Sequence, residues 1–122
     1  MKLRTVLIVE DEADFASMLE VAMEGLPGIT SIRVPSAEAA IEQLKKIEIA
    51  ALISDVNLPA MSGIELIPWA KGVPVLIMSA STDAGVKQAA LRAGATAFFA
   101  KPFSPAAVCE KVQELLKEST DA

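Results

Sequence analysis

Residues 50–63 have the sequence AALISDVNLPAMSG. The apolar first half is typical of a buried strand, and this strand ends at a single carboxylate, Asp55. A turn around Pro59 and a helix start at Ser62 and Gly63 follow directly. Ligands bind at the carboxyl ends of the strands in open α/β sheets, so Asp55 is a candidate for chemistry.

The rest of the chain alternates between apolar runs and helical patterns. The predicted strands are residues 3–9, 29–34, 50–55, 73–78 and 95–100. Each is followed by a helix, which predicts βαβ units and therefore an α/β fold, a parallel sheet with helices on both faces. Pro68 and Gly72 limit the third helix to little more than two turns. In the fourth helix we expect these residues to face inward: Val86, Ala89, Ala90 and Ala93.

Polar side chains end four of the five predicted strands. They are Glu10 and Asp11, Asp55, Ser79 and Lys101, after strands one, three, four and five. Strand two ends in Val34 and Pro35, which offer no chemistry. If the four polar ends share one site, strand two belongs at an edge of the sheet, which gives the flavodoxin-like order 2-1-3-4-5.

Composition narrows the class of protein. A chain of 122 residues forms one domain, here residues 1–118 followed by a flexible tail at 119–122. Without a membrane-spanning apolar run or a signal peptide, we expect a cytoplasmic protein that does not enter a membrane. The net charge of −5 and the lack of a basic stripe argue against direct nucleic-acid binding. The absence of histidine excludes catalytic triads that use it, and the lone Cys109 is expected in the core.

The carboxylates at the predicted site need a counter-charge. Glu10, Asp11 and Asp55 repel one another at one edge, and Lys101 alone does not neutralise three acids. Oxygen ligands without histidine or cysteine favour a hard cation, and we expect Mg²⁺, with a backbone carbonyl near Asn57 as a further ligand.

Within such a site Asp55 is placed to attack phosphorus and form an aspartyl phosphate. Lys101 would neutralise one phosphoryl oxygen, and the Ser79 hydroxyl would donate a hydrogen bond to another. Each residue alone has an ordinary interpretation: Asp55 as a turn former, Ser79 as a strand-end cap and Lys101 as a surface lysine. Their joint placement at four strand ends favours the functional interpretation.

Several short motifs, taken in order, form a recognisable set. They are Val9-Glu10-Asp11-Glu12, Ser54-Asp55-Val56-Asn57-Leu58-Pro59 with Met61 and Gly63, Met78-Ser79-Ala80, Ala93-Gly94-Ala95 and Lys101-Pro102-Phe103. With them the chain resembles, over nearly its whole length, the receiver domain of two-component response regulators.

This resemblance implies a function in signalling rather than an enzyme that acts on a separate substrate. Asp55 would accept a phosphoryl group from the phosphohistidine of a sensor histidine kinase or phosphotransfer protein. The chain would catalyse only its own phosphorylation and dephosphorylation. The signal would pass to a downstream effector or a C-terminal output domain.

The resemblance also implies roles for individual residues. Asp11, Asp55 and the Asn57 carbonyl would bind Mg²⁺, and Glu10 would do so through water. Ser79 and Phe98 would form a switch that changes the surface of helix four, strand five and helix five. The Lys101-Pro102 peptide bond would be cis.

Two features depart from the family pattern. The segment between Asp55 and Ser79 is short and contains Pro68, so we expect a short third helix. The switch position holds Phe98, which lacks the hydroxyl that a tyrosine would use for an outward hydrogen bond. We therefore expect Phe98 to sit inward even without phosphate, which would blunt the switch.

Three alternatives remain open at the level of sequence. A haloacid-dehalogenase-type phosphatase also forms an aspartyl phosphate, but it needs an acid two residues after the nucleophile, where this chain has Asn57. An FMN-binding flavodoxin would need a phosphate-binding loop after strand one, where this chain has acids. The third is a receiver-fold interaction module that signals without phosphorylation, against which the intact set of site residues argues.

Overall fold

The structure is a computed structural model that describes residues 3–81, 83–101 and 104–119. Strands and helices alternate along these residues, and no helix among them is long and apolar enough to cross a membrane. The strands are β1 (Arg4–Val9), β2 (Ile29–Val34), β3 (Ala51–Asp55), β4 (Val75–Ser79) and β5 (Ala97–Ala100). The helices are α1 (Ala13–Glu24), α2 (Ala37–Lys46), α3 (Gly63–Leu66), α4 (Ala84–Ala93) and α5 (Pro105–Ser119).

The strands form one parallel sheet in the order β2-β1-β3-β4-β5. The predicted α/β fold and strand order are therefore confirmed. Val9 pairs with Ser54 and Asp55 pairs with Met78, so the carboxyl ends of β1, β3 and β4 lie side by side. The strand order reverses between β1 and β3, and this switch point is where α/β sheets bind ligands.

Two apolar clusters cover the two faces of the sheet. One packs β-strand residues such as Leu7 and Ile77 against α2, α3 and α4, and the other packs residues such as Ile8 and Ile53 against α1 and α5. Because successive side chains of a strand point to opposite faces, the central strands are buried on both sides. This is the physical reason for their continuous apolar sequences.

The predicted short third helix is confirmed. α3 has four residues and continues into a 3-10 turn at Ile67–Trp69, with Pro68 inside that turn. Its start is well capped, because the Ser62 hydroxyl accepts from the Glu65 N–H and the Glu65 carboxylate accepts from the Ser62 N–H. A local capping box thus positions the first turn directly after the loop that follows Asp55.

The predicted inward face of α4 is wrong in part. Ala90 is buried and Val86 is half-buried, but Ala89 and Ala93 are exposed. Gly94 ends the helix in the left-handed conformation, with φ of 112°, which glycine adopts readily. The inward side of α4 therefore follows Val86 and Ala90, about one residue per turn, and is narrower than the four-residue stripe predicted from spacing.

The last helix covers the second apolar cluster. Cys109 is buried in that cluster, as predicted, and burial raises the pKa of its thiol. Ser119, assigned from sequence to the tail, is the final residue of α5, a one-residue difference of the kind that helix ends commonly show. The remainder of the predicted tail, 120–122, lies outside the described residues.

Candidate functional site

The sheet brings the predicted site residues to one edge. Glu10 follows β1, Asp55 ends β3, Ser79 ends β4 and Lys101 follows β5. The Lys101 N–H donates to the Ser79 carbonyl at 2.7 Å, which holds the end of β5 level with β4. The structure therefore unites residues that lie far apart in sequence.

Asp55 is held at several atoms. Its side chain is buried, Oδ1 accepts from the Asn57 N–H at 3.0 Å, and Oδ2 lies 2.7 Å from Lys101 Nζ. The Ser54 hydroxyl donates to the Asp55 carbonyl at 3.0 Å. Gly63 packs so closely here that a Cβ would overlap the Asp55 carbonyl oxygen. The loop after β3 thus requires glycine at position 63 and leaves the carboxylate facing the edge of the sheet.

Lys101 links two of the acids. Its ammonium lies 2.7 Å from Asp55 Oδ2 and 3.3 Å from Glu10 Oε1, and its side chain is only 16% exposed. Burial acts to lower the pKa of Lys101, but the hydrogen bond and charge of Asp55, with those of Glu10, outweigh it and raise that pKa. The same ammonium lies over the ring of Phe15, 4.2 Å from the ring centroid.

Glu10 is the most deeply buried acid of the group. Its side-chain Oε2 is buried and has no hydrogen-bond partner among the described residues. Burial, and then the nearby Asp55 carboxylate, raise the pKa of Glu10 to about 7. The main chain of Glu10 is also fixed, because Arg33 Nε and Nη2 donate to its carbonyl at 3.2 and 3.0 Å.

The acids fit a divalent cation. Each of Glu10, Asp11 and Asp55 has a carboxylate oxygen within 4.8 Å of the others, and Asp11 is exposed at the mouth of the group. The unpartnered Oε2 of Glu10 is the kind of buried oxygen that a ligand satisfies. The donors are all carboxylates, which suits Mg²⁺.

Ser79 begins a ladder of hydrogen bonds into α4. The buried Ser79 hydroxyl accepts from the Ser81 N–H at 3.0 Å, the Ser81 hydroxyl accepts from the Asp83 N–H at 3.1 Å, and Asp83 Oδ1 accepts from the Gly85 N–H at 2.8 Å. Each link spans two residues, the pattern of Ser and Asx turns. Asp83 is the N-cap of α4.

Phe98, the second predicted switch residue, lies on β5 opposite Ile77. It is half-buried and packs against the apolar cluster under α2, α3 and α4. The expected cis peptide bond before Pro102 and the motif residue Phe103 lie outside the described residues.

Sequence reasoning missed two contacts of the site. Arg33 holds the Glu10 carbonyl from β2, the strand judged to offer no chemistry, and a cation beside a predicted strand end was the available signal. Phe15 packs on the apolar side of α1, and nothing in helical spacing indicates its contact with Lys101.

A buried aspartate, a lysine and two further acids thus lie together at the switch point of a parallel α/β sheet. The model of the response regulator receiver domain matches residues 6–113. The chain belongs to this family, a class of domain that serves two-component signalling. This assignment decides against the phosphatase and the FMN-binding alternatives.

Individual relatives agree with the family. The DNA-binding response regulator MtrA of Mycolicibacterium paratuberculosis is 27% identical over 119 residues, which are 95% of this chain and 52% of MtrA. The chain thus spans about half the length of such relatives. An uncharacterized 14.6 kDa protein of Leptolyngbya boryana is 30% identical and matches over 89% of this chain and 87% of its own length. A crystal structure of a protein assigned as a response regulator from Chloroflexus aurantiacus has a TM-score of 0.86 and 35% identity, and covers 95% of this chain and 99% of its own.

Proposed function

We propose that this receiver domain is a phosphoacceptor, in which Asp55 receives a phosphoryl group from the phosphohistidine of a sensor histidine kinase or phosphotransfer protein. The observation that carries the proposal is the Lys101 ammonium 2.7 Å from Asp55 Oδ2, with two further acids within 4.8 Å of one another and of Asp55. A buried acid paired with an ammonium beside a cation site is suited to nucleophilic attack on phosphorus.

In this reaction one Asp55 oxygen forms a bond to phosphorus while the bond from phosphorus to the donor nitrogen breaks. The electron pair of the broken bond stays on that nitrogen, so the donor supplies the phosphoryl group and its nitrogen is the leaving group. Lys101 stabilises the charge on a phosphoryl oxygen, since its ammonium already lies against Asp55. The Ser79 hydroxyl accepts from Ser81 and keeps its own proton to donate to a second oxygen.

Mg²⁺ belongs to the proposed site. Asp11, Asp55 and the Asn57 carbonyl would hold it, with Glu10 acting through water, and the ion would add charge neutralisation for the phosphoryl group. The fit rests on the all-carboxylate donor set and on the unpartnered Oε2 of Glu10.

The output follows from the same site. Ser79 and Phe98 would transmit phosphorylation to the surface formed by α4, β5 and α5, which a downstream effector or a C-terminal output domain would read. MtrA is a DNA-binding regulator about twice as long as the aligned region, which supports an output domain outside the receiver. The domain would work in the cytoplasm and would catalyse only its own phosphorylation and dephosphorylation.

Incubation with acetyl phosphate and Mg²⁺ tests the proposal. We expect intact-protein mass spectrometry to find one added phosphoryl group, which Asp55→Asn abolishes and EDTA strongly reduces. Asp14→Asn, which changes an exposed aspartate of α1, is the matched control and is expected to label fully.

Two results would contradict the proposal. Equal labelling of Asp55→Asn would remove Asp55 as the acceptor. A folded wild-type chain that acetyl phosphate does not label, and that a kinase-derived phosphohistidine does not label either, would favour the interaction module that signals without phosphorylation.

A further inference from the structure

Phe15 is an aromatic residue that contacts the proposed reaction centre. It lies in the first turn of α1, is half-buried, and packs against the apolar cluster under α1 and α5. Its ring centroid is 4.2 Å from Lys101 Nζ, well inside the range of a cation–π contact. The ammonium therefore touches Asp55, Glu10 and an aromatic face.

We propose that Phe15 is a positioning residue that holds the Lys101 ammonium against Asp55 through its aromatic face. This inference rests on the proposed phosphoacceptor function. It assigns to Phe15 a part in setting the rate of phosphoryl transfer, in addition to its place in the core.

The flexible Lys101 side chain needs a further contact to hold its ammonium in one place. Its ammonium is a compact charge on a flexible four-carbon stem, so each hydrogen bond that it makes loses conformational freedom. The two carboxylates attract the ammonium from the edge of the sheet, and the negative face of the Phe15 ring attracts it from the α1 side. Because these contacts come from different directions, they leave the Lys101 side chain few alternative rotamers.

The ring also affects solvent around the ammonium. The Lys101 side chain is 16% exposed although it ends in a charge at the edge of the sheet. An aromatic cover excludes water from one side of the ammonium, which strengthens its interaction with charge that develops on a phosphoryl oxygen. A leucine would fill much of the same core volume but has no negative face to offer the cation.

Phe15→Leu tests the aromatic contribution with the core largely filled. We expect acetyl phosphate to phosphorylate this variant about two- to fivefold more slowly than wild type, and Phe15→Trp to restore the rate, because tryptophan binds cations best. Phenylalanines with one, two and three ring fluorines at position 15 keep nearly the same shape but weaken the negative face stepwise. The rate is expected to fall with each fluorine.

Phe99→Leu is the matched control. It removes a ring of β5 that packs against the same apolar cluster, whereas the ring over Lys101 belongs to Phe15. We expect it to phosphorylate at close to the wild-type rate. Urea unfolding of each variant establishes that the compared proteins are folded.

A second readout does not depend on phosphorylation. The Phe15 ring current should shift the NMR signals of the Lys101 ammonium protons in the unmodified protein, and Phe15→Leu should remove that shift. Unchanged ammonium signals in Phe15→Leu, or equal phosphorylation rates across the fluorine series, would overturn the inference. Failure of acetyl phosphate to label wild type would instead count against the proposed function, and the ammonium spectrum would still decide the role of Phe15.

Discussion

At the scale of single residues, Glu10 shows how the site lowers the stability of the folded protein. The side chain is fully buried, Oε1 shares Lys101 with Asp55, and Oε2 lacks a partner among the described residues. Asp55 and Asp11 add negative charge beside it, and Lys101 supplies the nearby positive charge. Burial and Asp55 together raise the pKa of Glu10 to about 7, so ionising this residue in the folded state is unfavourable.

This shift predicts that the metal-free protein loses stability as the pH rises. The folded-state pKa of about 7 lies above the ordinary value of 4.5, so the folded state binds the proton more tightly. The resulting stability is complete below pH 4.5, declines as the pH rises, and is lost once the pH passes about 7. A shift of this size corresponds to at most about 3 kcal/mol.

Urea unfolding in EDTA at pH 5 and pH 8 measures this effect. We expect Glu10→Gln, which resembles the protonated acid, to remove most of the pH-dependent loss. Glu42→Gln changes an exposed residue of α2 and should keep the wild-type pH dependence of unfolding. A Glu10→Gln protein with the full wild-type pH dependence would show that another group causes the loss.

At the scale of elements, the loop from β4 to α4 joins the site to a helix. Ser79, Ser81 and Asp83 each accept from the N–H two residues further on, and the last link ends at Gly85 inside α4. Ala90 is the buried residue of that helix, and much of its remaining surface is exposed. A lightly anchored helix attached to the site by short hydrogen bonds is suited to respond when Ser79 changes partner.

Ser79→Ala is expected to uncouple phosphorylation from this helix. The variant should still bind the phosphoryl mimic beryllofluoride at Asp55, since the hydroxyl is not the nucleophile. The amide shifts of α4 and α5 that beryllofluoride causes in wild type should be largely lost, because the first link of the ladder is missing. Heteronuclear NMR with and without the mimic measures both effects.

Ser17→Ala changes an exposed residue of α1 and is the control. It should keep the amide shifts that beryllofluoride causes in wild type. The complete wild-type shift pattern in Ser79→Ala would refute a coupling role for the hydroxyl.

At the scale of the whole molecule, the sheet assembles like charges that the unfolded chain keeps apart. Glu10 and Asp11 come from one end of the chain, Asp55 from its middle, and the partly compensating Lys101 from near the other end. Since Lys101 contacts Glu10 and Asp55, the exposed Asp11 adds its charge at the mouth of the group. Folding therefore creates electrostatic repulsion, which a bound cation would relieve.

Asp11→Asn should therefore raise the free energy of unfolding in EDTA. We expect a gain below about 1 kcal/mol, because an exposed charge interacts through solvent of high dielectric constant. In Mg²⁺ wild type should instead have the larger free energy of unfolding, because the variant has lost a metal ligand. A ligand at 100 times its Kd stabilises the protein that binds it by about 2.7 kcal/mol.

Urea titrations of both proteins in EDTA and in millimolar Mg²⁺ provide the measurement. An Asp11→Asn protein less stable than wild type in EDTA would mean that these acids do not form a mutually repelling metal site.

Much of the architecture was predictable because it depends on local patterns. Continuous apolar runs predicted central strands buried on both faces, and Pro68 predicted the short α3. The order of the strands followed from the polar residues at strand ends, because parallel strands place those ends at one edge. Glu10, Asp55, Ser79 and Lys101 were chosen on that ground, and the structure brings them to the same edge.

The sequence by itself thus determined the order and type of the elements and the residues at the site, since periodicity and strand ends are local properties. Only the tertiary structure decided which side chains touch. Lys101 reaches Glu10 across 91 positions of the chain, and Arg33 reaches the Glu10 carbonyl from β2. Phe15 contacts Lys101, and α4 buries Ala90 but leaves Ala89 and Ala93 exposed, because of how the helices pack on the sheet. Contacts of this kind depend on the packing of distant elements, which no local pattern specifies.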